Sequence, residues 1–129
     1  MANIKLDGSV LEVFQAKLRM FARERDWEQY HTPKNLVMAL TVEAAELQEH
    51  FQWLTPEQSQ ALSAEKQAAV AAEMADIFLY LLRLADQLSV DLVEATLAKM
   101  TLNAQRYPAD LVQGSAEKYT AYREKGDKN

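Results

Sequence analysis

Apolar residues recur along this chain every three or four positions, in runs long enough for helices and lacking the alternation of strands. Leu11, Phe14, Leu18 and Phe21 form the first stripe. Ser9 and Glu12, three apart ahead of it, fit a capping box, which predicts a helix from there to about Arg25 or Trp27. His31-Thr32-Pro33 breaks the pattern. Thr32 suits an N-cap and Pro33 the first helical position, where a missing amide costs nothing. A second helix is therefore expected from Pro33 to about Trp53, with Leu36, Leu40, Ala44, Leu47, Phe51 and Leu54 facing inward. Thr55-Pro56-Glu57-Gln58 is another start signal and opens a connecting segment with room for a short helix. Ser63 caps a third helix reaching about Leu88, whose inner stripe is Val70, Ile77, Tyr80, Leu81, Leu84 and Leu88. Met74, Phe78, Leu82 and Ala85 make its opposite side apolar as well. A helix apolar all round is buried all round, so a neighbouring subunit is expected on the second face. Asp91 and Glu94 open a fourth helix, which runs to about Arg106 and stops at Tyr107-Pro108. Residues 1–8 read as a loose arm. From Ala109 onward the chain reads as a polar surface tail with one weak helical stretch around 116–123. The expected fold is all-α, of four-helix-bundle type, with one domain over 1–108 and a tail over 109–129.

Four acids interrupt these stripes in a repeated way. Glu43 and Glu46 lie on the second helix, Glu73 and Asp76 on the third, each pair three residues apart and so on one face. Glu43 falls inside its stripe, among Leu36, Leu40 and Leu47, and Glu46 falls at the edge. Glu73 and Asp76 repeat that placement. A lone E-x-x-E is usually two solvated acids. Two such pairs on consecutive helices that should pack together are different, because unpaired carboxylates in an apolar interior cost several kcal/mol each. A divalent cation would neutralise them. All-oxygen ligation suits Mg²⁺ or Mn²⁺, with positions left for water and phosphate oxygens. The inner pair, Glu43 and Glu73, is expected to be the more buried. The edge pair, Glu46 and Asp76, should face substrate and water; any of the four acids not firmly held by metal could act as general base, Glu46 being one candidate. A di-iron centre would need Glu-x-x-His on each of two helices. His50 lies four residues after Glu46, and the third helix has no histidine.

Trp27, His31, Trp53 and Tyr80 sit near helix ends or on the acid-bearing face. Aromatic faces beside a metal–phosphate site suit a flat base, and core packing accounts for such residues equally well at this stage. His50 reads as structural or as a partner of a carboxylate. Lys34 is one cation available to phosphates. Lys99, Asn103 and Arg106 share a polar face of the fourth helix.

Composition narrows the field. The chain has 129 residues, 49% of them hydrophobic, with only 3 Gly and 3 Pro, which favours one helical globular domain. A formal net charge of -5 argues against a nucleic-acid polymer as partner, but not against one nucleotide whose charge a metal offsets. The absence of cysteine excludes disulfides, thiolate catalysis and zinc–thiolate sites. No P-loop or G-x-S-x-G is present. The apolar run over 68–88 is broken by Glu73, Asp76, Arg83 and Asp86, and the N-terminus has no apolar signal core. The expectation is a soluble cytoplasmic protein without membrane contact.

The runs RDWEQYHTPKNLVMALTVEAAELQEHFQW, EMADIFLYLLRLA and VDLVEATLAKMTLNAQRYP resemble the all-α nucleoside triphosphate pyrophosphohydrolases of the MazG-like superfamily, and within it the dCTP pyrophosphatase branch. The resemblance covers about Arg25 to Pro108. It implies a helical bundle assembled as a homodimer or homotetramer. It also implies Mg²⁺ bound by Glu43, Glu46, Glu73 and Asp76. Trp27, His31, Trp53 and Tyr80 would surround base and sugar, while Lys99, Asn103, Arg106 and Tyr107 would approach the nucleotide from the fourth helix. Lys34 stands where relatives often carry Arg, and lacks its bidentate fork. The implied reaction is cleavage of dCTP, or a modified dCTP, to dCMP and pyrophosphate, clearing the nucleotide pool. Two rivals remain. One is the same chemistry on dUTP or a broad set of nucleotides; the other is a non-catalytic helical nucleotide-binding or scaffold protein.

Overall fold

A computed structural model of the chain describes residues 8–126, and these fall into two compact units that divide between Val90 and Asp91. That division lies inside the stretch 1–108 read as one domain from the sequence. The expected loose arm lies, apart from Gly8, outside the described residues. All regular structure among them is helical, and no described helix is long and apolar enough to cross a membrane.

The first unit carries α1 (Ser9–Glu24), α2 (Pro33–Glu49), the short α3 (Pro56–Ser59) and the long α4 (Ala64–Gln87), with a 3-10 turn at Glu28–Tyr30. Its helix starts follow the cap residues read from the sequence. Thr32 Oγ1 accepts from Asn35 N, Ser63 Oγ from Lys66 N, and Thr55 and Gln58 form a reciprocal capping box. At α1 the expectation fails by one residue. Gly8 is the N-cap, at φ 70°, and Ser9 is already helical.

The ends of α1, α4 and α5 fall within about one residue of expectation, and one helix end departs from it. α2 stops at Glu49, not at Trp53. His50 N bonds Leu47 O, Phe51 N bonds Gln48 O and Leu54 N bonds Phe51 O, so the chain tightens into turns. The cause lies downstream: Thr55 precedes proline and caps α3, both of which demand its extended backbone (φ -72°, ψ 161°). α1 and α4 end alike. Trp27 N reaches back to Ala22 O and Val90 N to Ala85 O, each at 2.9 Å, around Asp26 and Ser89 at φ 54°. These are Schellman endings built without glycine, so the usual sequence signal is absent. The turn at Asp26 matters for the site. It swings Trp27 and His31 back toward α4, and Asn35 Nδ2 then pins the segment by donating to Tyr30 O at 3.0 Å.

α4 packs against α2 on one side and α1 on another. The buried apolar residues are Val70, Leu82 and Ala85 on α4, Leu36 on α2 and Ala22 on α1. This corrects the expected faces of the third helix. Leu81 and Leu88 were read as inward, yet Leu88 is 53% exposed, whereas Leu82, assigned to the second face, is fully buried. α1 of the same chain covers part of that second face: Phe14 meets Phe78 edge-on at 6.2 Å, and Gln15 Nε2 donates to Leu82 O at 3.2 Å, while Met74 stays exposed. Arg19 pairs with Asp86 at 2.7 Å along the same line.

The second unit holds α5 (Leu92–Arg106), α6 (Ala109–Val112) and α7 (Tyr119–Gly126). Asp91 caps α5 by accepting from Glu94 N at 3.0 Å. The segment expected as a tail is more structured than its polarity suggested, because aromatic contacts tie it down. Tyr119 packs edge-on against Tyr107, and the Arg106 guanidinium lies 4.6 Å above the Tyr119 ring.

Two substitutions test this description. Leu82→Ala is expected to destabilise the fold by about 2–5 kcal/mol in urea unfolding, through the cavity it leaves. Ser89→Gly should stabilise it by up to about 1 kcal/mol, since glycine adopts the left-handed conformation without the side-chain clash.

Candidate functional site

Packing of α2 on α4 brings acids together. One carboxylate oxygen from each of Glu43, Glu73 and Asp76 lies within 4.8 Å of the others. Glu43 and Glu73 are half-buried and Asp76 is exposed. Oε2 of Glu43 and Oε2 of Glu73 are shut off from solvent with no hydrogen-bond partner. Solvated surface acids do not leave such atoms, since water completes their bonding. Burial first, then contacts with the Glu46 and Glu73 carboxyls and the charges of Glu46 and Asp76, push the Glu43 carboxyl up to about 7. Ionised carboxylates cannot donate to one another. Only a shared proton or a cation satisfies the cluster, and a hard divalent cation fits an all-oxygen donor set with two orphaned oxygens.

Three of the four acids divide as their stripe positions implied, and Glu46, expected at the water-facing edge, is half-buried like the inner pair. The two orphaned oxygens belong to Glu43 and Glu73, and Asp76 faces out. Glu46 is half-buried beside Glu43 and stands outside the close triple.

A cavity of about 240 Å³ adjoins the acids, and Asp76 lines it. Trp27, His31 and Tyr80 give it aromatic walls, Phe21, Leu18 and Leu79 add apolar ones, and Arg83 completes it. Trp27 bridges Phe21 at 5.8 Å and His31 at 6.4 Å, both edge-on. The space is below the ~300–1,000 Å³ of sites for drug-sized ligands, and suits one small flat group. Arg83 Nε donates to His31 Nδ1 at 3.2 Å. Burial, then the Arg83 charge, lower the His31 pKa against an opposing pull from Glu28, so the ring is neutral near pH 7.

A family model described as MazG-like matches residues 38–121, more than half of the chain. The chain belongs to the MazG-like family. Its relatives include dCTP pyrophosphatase 1 of Bos taurus, 51% identical over 102 residues, and that of Homo sapiens, 48% identical over 102 residues. Each alignment takes in 78% of this chain, which spans 60% of the length of these relatives. Among solved structures, a pyrophosphatase from Archaeoglobus fulgidus superposes with a TM-score of 0.69 at 34% identity, covering 84% of this chain and 97% of that one.

Within this MazG-like frame the residues singled out by sequence are not all gathered. Glu43, Glu73, Asp76, Trp27, His31 and Tyr80 meet at the cluster and its cavity. Trp53 does not line the cavity and is 87% exposed in the turn after α2. Lys34 is exposed near the start of α2. Lys99, Asn103, Arg106 and Tyr107 belong to the second unit, where Arg106 and Tyr107 engage Tyr119. Arg83 was missed as a site residue. Its signal was visible as a charge inside the most apolar helix, three residues after Tyr80.

The acid cluster carries a stability cost that titration exposes. Between its ordinary 4.5 and about 7, the folded chain keeps a proton on Glu43 that the unfolded chain has released. Stability without divalent cations is therefore fullest below that window and falls as pH rises through about 7. Glu43→Gln should remove this dependence and raise unfolding free energy at pH 8 in EDTA by on the order of 1–3 kcal/mol. A variant whose pH profile matches wild type would clear Glu43 of that role.

Proposed function

We propose that this chain is a Mg²⁺-dependent nucleoside triphosphate pyrophosphohydrolase that cleaves dCTP, or a modified dCTP, to dCMP and pyrophosphate. Asp76 carries this reading. Its carboxylate belongs to the acid cluster and its side chain lines the aromatic cavity, so one residue joins a place for charge to a place for a flat base. The mammalian relatives bearing the name dCTP pyrophosphatase 1 and the archaeal pyrophosphatase support the same reaction class.

Glu43, Glu46, Glu73 and Asp76 are the acids assigned to metal and catalysis. They would hold Mg²⁺, or Mn²⁺, which would supply positive charge to the triphosphate oxygens and would lower the pKa of a nearby water. Glu46, outside the close triple, takes the proton from the attacking water. The water oxygen bonds to the α-phosphorus while the bond from that phosphorus to the α–β bridging oxygen breaks, and pyrophosphate leaves with the bridging oxygen. Trp27, His31 and Tyr80 receive base and sugar, and exposed Trp53 adds a further aromatic face. Lys34, Lys99, Asn103, Arg106 and Tyr107 keep the nucleotide-binding assignment that the resemblance implies.

A homodimer or homotetramer is supported by apolar side chains left exposed on both central helices, including Val37, Met38 and Val42 on α2 and Met74 on α4. Cytoplasmic clearance of dCTP or modified cytosine nucleotides fits a chain of net charge -5 that handles one nucleotide rather than a polymer.

A pyrophosphate-release screen over dNTPs and NTPs, with and without Mg²⁺, tests the reading. The expected profile is Mg²⁺-dependent release that is fastest from dCTP. Preference for dUTP, or a flat profile, would reassign the substrate within the same chemistry. No release from any nucleotide, with Tm indifferent to Mg²⁺ plus nucleotide, would mark a non-catalytic helical protein. Glu46→Gln and Asp76→Asn should each lower kcat by at least about 100-fold with helicity intact. Near-normal turnover in either variant would displace the assigned site.

A further inference from the structure

Arg83 is a buried cation whose bonding is not that of a charge merely tolerated in the core. It is 5% exposed on the most apolar helix of the chain. Asp86, its obvious partner, lies 3.4 Å from Arg83 Nη1 and makes its shorter bond, 2.7 Å, to Arg19 of α1. The Arg83 Nε–H is given instead to His31 Nδ1, across 52 positions of sequence. Both residues line the cavity beside Asp76.

This bond has a chemical consequence. Arginine keeps its protons at any pH a protein meets, so Nδ1 of His31 must be the bare, accepting nitrogen. The ring proton is then confined to Nε2. Of the charged groups around the ring, Arg83 on α4 opposes protonation and Glu28 on the preceding turn favours it. Asp76 lines the same cavity. Burial, the strongest influence, keeps the ring neutral. Arg19, Asp86 and Arg83 thus form a relay from α1 through α4 that ends on an imidazole of one tautomer.

We propose that Arg83 is a positioning residue that locks the His31 imidazole as its Nε2–H tautomer and so presents a fixed hydrogen-bond donor to the nucleoside end of a substrate in this cavity. The donor suits an oxygen acceptor, a pyrimidine carbonyl or a sugar hydroxyl. The substrate half of this inference rests on the pyrophosphohydrolase reading; the tautomer half does not.

Ring ¹⁵N shifts of the intact chain at pH 7.5 test it directly, with Mg²⁺-supported dCTP kinetics alongside. The chain has 2 histidines, so a His50→Gln background assigns the signals. Wild type should show a protonated Nε2 and a bare Nδ1 on His31. Arg83→Met preserves bulk and leaves Asp86 its bond to Arg19. In that variant the tautomers should mix and the ring lose its fixed setting, with KM for dCTP rising about 2-fold or more, in inverse proportion to the fraction of rings still presenting Nε2–H, and kcat held within about twofold. Arg83→Lys, which keeps the charge without the fork, should recover only part of either effect. A wild-type ring protonated on Nδ1 overturns the proposal whatever the variants do. So does an Arg83→Met chain with wild-type ring shifts, or one with altered shifts and unchanged KM. Failure of wild type to release pyrophosphate is read in a separate measurement and counts against the functional assignment, while the ring shifts still decide the tautomer.

Discussion

Everything in the first unit is arranged around carboxylates that α2 and α4 press together. Glu43 and Glu73 sit inside the apolar contact of the two helices, each with an oxygen that no protein donor reaches. Two apolar residues at those positions would let the helices pack without penalty. The chain instead holds charges in place by surrounding packing, with Leu36 and Val70 among the buried residues on the same two helices. An interior that keeps such groups unpaired gives up stability, and a divalent cation is a partner whose charge would offset that cost.

α4 is the common axis of the remaining features. Along its length run Glu73 and Asp76 at the acid cluster, Tyr80 on the cavity wall, Arg83 under His31, and Asp86 in contact with α1. The cavity lies between Asp76 at one end and Arg83 at the other, with Tyr80 between them on the helix. Short-range order in the loop after α1 completes the arrangement. The left-handed turn at Asp26, the 3-10 turn and the Asn35 bond to Tyr30 O bring Trp27 and His31 against α4 without any regular element to carry them.

The sequence made much of this legible, for identifiable reasons. Helix starts could be read because caps are local: Thr32, Thr55, Ser63 and Asp91 each bond an amide three residues on. The ends of α1 and α4 also fall close to where the apolar pattern stops, although the left-handed residues that close them, Asp26 and Ser89, are not glycine; the end of α2 does not, because the cap at Thr55 sets it from downstream. The facing of α4 was misread at Leu81, Leu82 and Leu88. Angular position ranks residues by their own helix, whereas burial depends on which neighbour arrives, and α1 arrives on the side of Phe78 and Leu82.

By itself the sequence determined the all-α class, most of the helix starts and the recurrence of two acid pairs on consecutive helices, since each rests on spacing along one helix or on residue chemistry. The MazG-like resemblance followed from contiguous motifs of the same kind. Tertiary structure decided what spacing cannot express. It showed that Glu43, Glu73 and Asp76 form the close triple while Glu46 stands beside it. It left Trp53 in solvent and put Arg83 on His31. Those facts depend on how helices far apart in the chain meet, and a contact across 52 positions leaves no periodicity to read.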